Sequence, residues 1–295
     1  MKIIITGSLG NVGQPLATHL VEQGHGVTVI SSQTDRQSAI NELGATPAIG
    51  SLEDVNFLTT TFIGADAVFC MVPPNINVPD SRAYYQGIGR CYVQAVKESG
   101  VKRVVHLSSW GGHLSEGTGF IAGSHDVEQL FNTLMDVAIT HLRAGSMYYN
   151  LYAFMDMIKQ VGFMGTNYGD DDLVAMVAPV DIAAAAAEEL GRSANGHDVR
   201  YVVSGEYTAN EAARILGAAI GKPDLRWMTF TDEQTQHGLE QNGIPPHVAT
   251  GLVELGASIH NGRLGEHYQQ DKPRTMGKVK LAEFAQEFAA AYARA

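Results

Sequence analysis

A run of β-branched residues ending in glycines spaced three apart constrains this chain more than any other feature. The first residues read Met1-Lys2-Ile3-Ile4-Ile5-Thr6-Gly7-Ser8-Leu9-Gly10-Asn11-Val12-Gly13, and an amphipathic stretch, Gln14 to Val21, follows. That is a buried strand, a glycine turn and a helix in the order of a βαβ unit. A helix opening on such a turn leaves backbone N–H groups and a positive dipole end facing outward, where a pyrophosphate fits. Gly7 allows the tight turn, Gly10 lets phosphates approach the backbone, and Gly13 lets the helix close on the sheet. Gly7, Ser8, Gly10, Asn11, Val12 and Gly13 are therefore the expected phosphate-binding residues.

Apolar runs and amphipathic stretches then alternate as far as residue 145. Strands are predicted over 2–6, 27–31, 46–49, 67–72, 103–108 and 137–143, and helices over 11–23, 34–43, 53–61, 81–99 and 124–135. Such alternation predicts an α/β fold, a doubly wound Rossmann-type parallel sheet with helices on both faces. Right-handed crossovers favour the strand order 3-2-1-4-5-6, with a nucleotide across the carboxyl ends of the strands. After Gly145 the rhythm breaks. An aromatic and Met-rich stretch from Met147 to Met155 precedes an Ala-rich helix over 181–191, a strand from Val199 to Val203, and helices over 208–220, 232–242, 246–259 and 279–293. The expected division is a nucleotide-binding domain over 1–145 and a smaller, mostly helical substrate domain over 146–295, some of whose segments return to the sheet.

The spacing Thr-Gly-x-x-Gly-x-x-Gly at residues 6–13 is that of extended and atypical short-chain dehydrogenases. Gly50-Ser51-Leu52-Glu53-Asp54, Gly64-Ala65-Asp66-Ala67-Val68-Phe69 and Gly100 to Ser109 fit the same pattern, and Val177-Ala178-Pro179-Val180-Asp181-Ile182-Ala183 resembles the strand-to-helix junction of the NmrA-like branch. Over nearly its whole length the chain thus resembles the NmrA-like family. That resemblance implies NADPH-dependent reduction of quinones or triphenylmethane-type dyes, or the work of plant isoflavone reductase relatives. Non-catalytic redox-sensing regulators belong to the same family.

Charge and cysteine content narrow the classes. The net charge is −11, which argues against direct nucleic-acid binding through phosphates. Cys70 and Cys91 form no metal-ligand spacing, and the expectation is two buried, reduced thiols and no metal site in a cytoplasmic protein. The glycine loop interrupts the apolar run after Ile5, so the amino terminus is not expected to be a signal peptide, and no apolar stretch is long enough to span a membrane. No heptad or apolar stripe decides between a monomer and a homodimer.

An NAD-preferring site places an acid at the end of the second strand. Here that place reads Ile30-Ser31-Ser32-Gln33-Thr34-Asp35-Arg36. Ser31 and Ser32 can donate to a 2′-phosphate and Arg36 can pair with it, so NADP(H) is favoured over NAD(H). Asp35, if turned inward, argues the other way. Other expected cofactor contacts are Ser51 and Leu52 after the third strand, Met71, Val72 and Pro73 after the fourth, and Ser108 after the fifth.

Typical short-chain dehydrogenases place Tyr and Lys four residues apart on the helix after the fifth strand. Here that helix reads Ile121-Ala122-Gly123-Ser124-His125-Asp126-Val127-Glu128-Gln129-Leu130, with no tyrosine. Tyr268 and Lys272 have the spacing far downstream, which reads as coincidence. His125 is the candidate catalytic residue, able to donate a hydrogen bond or a proton near neutral pH; its plainer role is a solvated residue after an N-cap at Ser124. Trp110 and His113, in the loop after the fifth strand, and Met147, Tyr148, Tyr149 and Tyr152, after the sixth, are the expected substrate wall. The plainer reading of that wall is ordinary core. Arg143 is expected to brace the backbone beside the nicotinamide. The functional expectation is an NAD(P)H-dependent reductase of a flat, conjugated small-molecule acceptor, such as a quinone. The alternative is a non-catalytic NADP(H) sensor acting through a protein partner.

Overall fold

Three isoleucines with no solvent exposure, Ile3, Ile4 and Ile5, form the middle of the first strand. A strand so apolar on both faces belongs at the centre of a parallel sheet covered by helices on each side. The computed structural model, which describes residues 1–294, has that arrangement. In chain order its elements begin β1 Lys2–Ile5, α1 Gly13–Glu22, β2 Gly26–Ser31, α2 Arg36–Glu42, β3 Thr46–Ile49, α3 Val55–Phe62, β4 Ala67–Cys70 and α4 Ser81–Ser99. Next come β5 Arg103–Ser109, α5 Ile121–Phe131, β6 Ala138–Ala144 and β7 Ser146–Met147, then a 3-10 helix over Tyr148–Phe154. The later elements are α6 Met155–Val161, β8 Met164–Thr166, β9 Leu173–Val177, α7 Pro179–Gly191, β10 His197–Val202, β11 Gly205–Thr208, α8 Ala209–Ala219, β12 Trp227–Thr229, α9 Asp232–Gln241, α10 Pro246–His260, α11 Glu266–Gln270 and α12 Leu281–Arg294.

Seven strands make one sheet in the order β10-β6-β5-β4-β1-β2-β3. Read from its far edge this is the doubly wound order 3-2-1-4-5-6 with one strand added. The registers of β1 with β2 and β4, of β2 with β3 and of β4 with β5 are all parallel. The added strand runs parallel as well, since Ile139 N–H donates to the Gly196 carbonyl and Gly145 N–H to that of Val202. The helices start and stop where the residues dictate. Asp54 and Asp80 cap α3 and α4 by accepting from the amides of Phe57 and Ala83, and Gly100, left-handed at φ 76°, ends α4.

The chain divides into two units. The first comprises residues 1–112, 123–143 and 182–200, and the second 113–122, 144–181 and 201–295. The first unit's core includes Ile4, Phe62, Val68, Tyr92, Val104 and Phe131, all essentially without exposure. It also buries two histidines. His106 Nδ1 lies 3.0 Å from His141 Nδ1, and His141 Nε2 lies 3.1 Å from Asn132 Oδ1. Asn132 Oδ1 can only accept, so His141 carries its proton on Nε2 and His106 donates to His141 Nδ1. Burial holds His106 well below the usual imidazole range and His141 at about 4. In the second unit β9 pairs with β7 in parallel and β11 in antiparallel, while β8 and β12 form a separate parallel pair. The second half is mostly helical as expected, with these short strands added. Cys70 is buried in β4 as expected, whereas Cys91 on α4 is only half-buried.

Candidate functional site

Two consecutive left-handed residues shape the loop after β1: Gly7 at φ 94° and Ser8 at φ 56°. The Ser8 amide then bonds the Ile30 carbonyl of β2 at 3.0 Å. A Cβ on Gly7 would lie 2.7 Å from Met71 Sδ, and one on Gly13 would collide with the Ser8 carbonyl oxygen. Gly13 therefore serves the approach of helix to loop, where the sequence pointed to helix and sheet. Gly10 is exposed, and a Cβ there would meet only the Gly7 carbonyl, at 3.3 Å. Asn11 is exposed too, and Val12, which is buried, offers α1 no side-chain cap. The first turn of α1 carries no acid. A cradle that a Cβ would fill, opening onto an uncapped helix N-terminus, fits a pyrophosphate. Gly13→Val is expected to weaken NAD(P)H binding at least about tenfold, about 1.4 kcal/mol, in a fluorescence titration. Unchanged affinity would detach this loop from the nucleotide.

One residue beneath this loop escaped the sequence reading. Tyr92, fully buried on α4, donates its hydroxyl to the Met71 carbonyl at 2.7 Å and lies 3.1 Å from Thr6 Oγ1. The Met71 amide donates back to Thr6 Oγ1 at 2.9 Å. The ends of β1 and β4 are thereby tied together under the glycine loop.

At the end of β2, Ser31 is buried and its hydroxyl lies 3.0 Å from that of Ser8 while accepting from the Gln33 amide at 3.2 Å. Its hydroxyl closes the turn. Ser32 and Arg36 are exposed, and Arg36 Nε donates to Gln33 Oε1 at 3.3 Å. Asp35 is exposed and makes no side-chain cap for α2. Ser51 is exposed and its hydroxyl accepts from the Glu53 amide, Leu52 packs on the core, Val72 is buried, and Met71 and Pro73 are half-buried.

The corner formed by β5, α5 and β6 is tied by buried polar bonds. Ser108 is buried and donates to Glu128 Oε1 at 2.5 Å. Arg143 grips the same carboxylate with two bonds, Nε to Oε1 at 2.9 Å and a terminal nitrogen to Oε2 at 2.7 Å. Ser108 is thus held by a protein carboxylate, and Arg143 braces the Glu128 side chain. Gly112 lies directly on this group: a Cβ there would sit 2.7 Å from Glu128 Oε1 and 2.9 Å from Ser108 Oγ. The Gly112 carbonyl in turn meets His125 Nδ1 at 2.9 Å. Because α5 begins at Ile121, three residues earlier than the sequence suggested, Ser124 lies inside the helix and caps nothing. Trp110 is 5 % exposed, which makes it an anchor of the loop and leaves no face for stacking.

In the second unit His113 is half-buried, its ring centroid 5.5 Å from that of His267. Met147 and Tyr149 are half-buried. Tyr148 is 1 % exposed and stacks on Phe284, and Tyr152 stacks on Phe288 with rings 5.7 Å apart. The expected substrate wall is corrected at Tyr148, which fills the core against α12 and offers nothing to a ligand. Tyr268 and Lys272 do meet, with the ammonium 5.5 Å from the ring centroid, but Lys272 is paired to Glu206 at 2.6 Å and burial pushes the Tyr268 phenol up. A general acid–base tyrosine needs the opposite shift.

Fold and glycine loop together are those of the Rossmann type. Residues 7–142 match the model of the NAD(P)H-binding family. An uncharacterized oxidoreductase of Bacillus subtilis, YesF, is 25% identical over 98% of this chain and 95% of its own length. Two solved structures share the fold at 19% identity and a TM-score of 0.79. One is the NADPH-dependent quinone oxidoreductase QOR2 of Escherichia coli complexed with NADPH, matched over 97% of this chain and 99% of that one. The other is the triphenylmethane reductase of Citrobacter sp., matched over 99% and 100%. The resemblance carried by residues 6–13 and 177–183 thus holds at the level of the fold, which this chain shares with both reductases. No helix among the described residues is long and apolar enough to cross a membrane.

Proposed function

We infer that the protein is an NADPH-dependent reductase that transfers hydride to a quinone-like or similarly conjugated small molecule. The observation that carries this reading is the pairing of an intact glycine cradle with an α5 that has no tyrosine and sets His125 against the loop after β5. A quinone spreads incoming charge over two oxygens, so it needs position and orientation more than a strong general acid. Bound NADPH would supply the hydride, and one further proton from water completes the reduction. Gly7, Ser8, Gly10, Asn11, Val12 and Gly13 would hold the phosphates. Ser32 and Arg36 would meet the 2′-phosphate, with Ser31 shaping their turn. Leu52, Met71, Val72 and Pro73 would line the nucleotide.

Loss of NADPH absorbance in the presence of a panel of quinones and dyes, with NADH alongside, tests the reading. Saturable oxidation by one acceptor class supports it. Tight NADPH binding with no turnover on any acceptor would transfer the assignment to a sensor. Arg36→Ala is expected to raise KM for NADPH about tenfold, the size of one charge-assisted hydrogen bond, and to leave KM for NADH within a factor of two or so. Equal effects on both nucleotides would dismiss the 2′-phosphate contact.

A further inference from the structure

A histidine ring has two nitrogens, and a carbonyl can bond only the one that carries a proton. The Gly112 carbonyl lies 2.9 Å from His125 Nδ1, so in the neutral ring the proton is on Nδ1 and Nε2 keeps its lone pair. Nε2 makes no hydrogen bond to any described residue, and the ring is half-buried, so this lone pair is left for a ligand. The sequence suggested a donor at this position; the neutral side chain offers an acceptor.

The carbonyl that sets this state is itself fixed from below. Gly112 N–H donates to the Ser109 carbonyl at 2.8 Å. Its α-carbon rests on the Ser108–Glu128 pair, with no room for a methyl group. Glu128 is held in place by the two bonds from Arg143, and both side chains are under a tenth exposed. A rigid, fully occupied ion pair of this kind can hold a backbone carbonyl in one orientation as a metal's outer ligands hold a histidine.

We propose that Glu128 is a positioning residue that acts through Gly112 to present His125 Nε2 as a hydrogen-bond acceptor, and that the acceptor substrate therefore carries an N–H or O–H donor beside its reducible carbonyl. Amino- and hydroxy-substituted conjugated carbonyls form that class. The substrate half rests on the reductase reading above. The positioning half does not.

The test is equilibrium binding to protein saturated with NADP⁺, measured by calorimetry at about pH 8.5. The probes are an aminonaphthoquinone and its N,N-dimethyl counterpart, which keeps the ring and the nitrogen but has no N–H. The wild-type protein is expected to bind the amino compound about tenfold more tightly, the ratio that one hydrogen bond of about 1.4 kcal/mol gives. The ratio should fall toward one in His125→Leu, and equally in Glu128→Gln and Gly112→Ala. Gly112→Ala alters no charge, so it reads the carbonyl's position even where Glu128→Gln is too unstable to titrate. No preference in the wild type, or a preference that survives His125→Leu, overturns the acceptor role. Loss in His125→Leu with retention in Gly112→Ala and Glu128→Gln overturns the positioning role. An unchanged ratio with weakened NADP⁺ affinity in His125→Leu would give the lone pair to the cofactor's carboxamide and overturn the substrate class. If NADP⁺ binds and neither quinone does, this substrate class is overturned, and the reductase reading falls with it only if no acceptor of the wider panel oxidises NADPH.

Discussion

Glu128→Ala is expected to lower the stability of the protein by about 3–5 kcal/mol, the usual cost of removing one partner from a buried ion pair. The arithmetic lies in what stays behind. Arg143 keeps its charge in a site where its side chain is 7 % exposed, Ser108 loses its acceptor, and Gly112 loses the surface it rests on. Urea denaturation of the purified variant measures the effect. Replacing both members together, Glu128→Met with Arg143→Met, should recover most of the loss, because no charge is then stranded. A single-variant cost below about 1 kcal/mol would mean that water reaches the pair and that the corner is looser than its geometry implies.

The second large effect is acid lability from His106 and His141. Both fold in the neutral form, with His141 at about 4 against an unfolded value of 6.5. Above pH 6.5 neither histidine affects stability. As the pH falls below 6.5 the unfolded chain takes up protons that the folded chain refuses, so stability is lost from there down to about pH 4, where His141 begins to charge in place. At about 1.4 kcal/mol per unit, His141 alone accounts for roughly 3 kcal/mol across that window. His106 adds to the loss in the same direction. Denaturation midpoints taken between neutral pH and pH 4 should fall accordingly. The fall should flatten in the double variant His106→Leu/His141→Leu, which removes donor and acceptor at once. An equal slope in both proteins would place the titrating groups elsewhere.

Much of the first unit was readable because β1 and β4 are short apolar runs and glycines stand close to most of its strands. The helix predicted over 81–99 coincides with α4, which an aspartate opens and a glycine closes. The small strands of the second unit were not readable, since β7, β8 and β12 have only two or three residues and show no alternation. Ser108 stood out as a strand end, but its partner did not. Glu128 looks in sequence like one more charge on a solvated helix, and only the fold brings Arg143 to it. The run from Met147 to Phe154 reads the same whether it faces a ligand or a core. What decides is the packing of Tyr148 and Tyr152 on Phe284 and Phe288, far downstream in the chain. Tyr92 was hidden for the opposite reason, as an apolar-face residue whose single polar atom does the work of a strut.

The late arrival of β10 bears on how the chain is made. Residues 1–145 look like a self-sufficient domain, yet the strand beside β6 comes from residues 197–202. Arg103, buried on β5, likewise waits for the Glu189 carbonyl and carboxylate of α7, at 2.7 and 3.0 Å. Until the ribosome has released these segments, the nascent sheet carries an open edge of unpaired amides and a guanidinium without its counter-charge. Both invite pairing with the wrong chain. The first half of the polypeptide is thus a folding debt that its own later residues must settle, and the place where a chaperone would find a grip is the bare flank of β6.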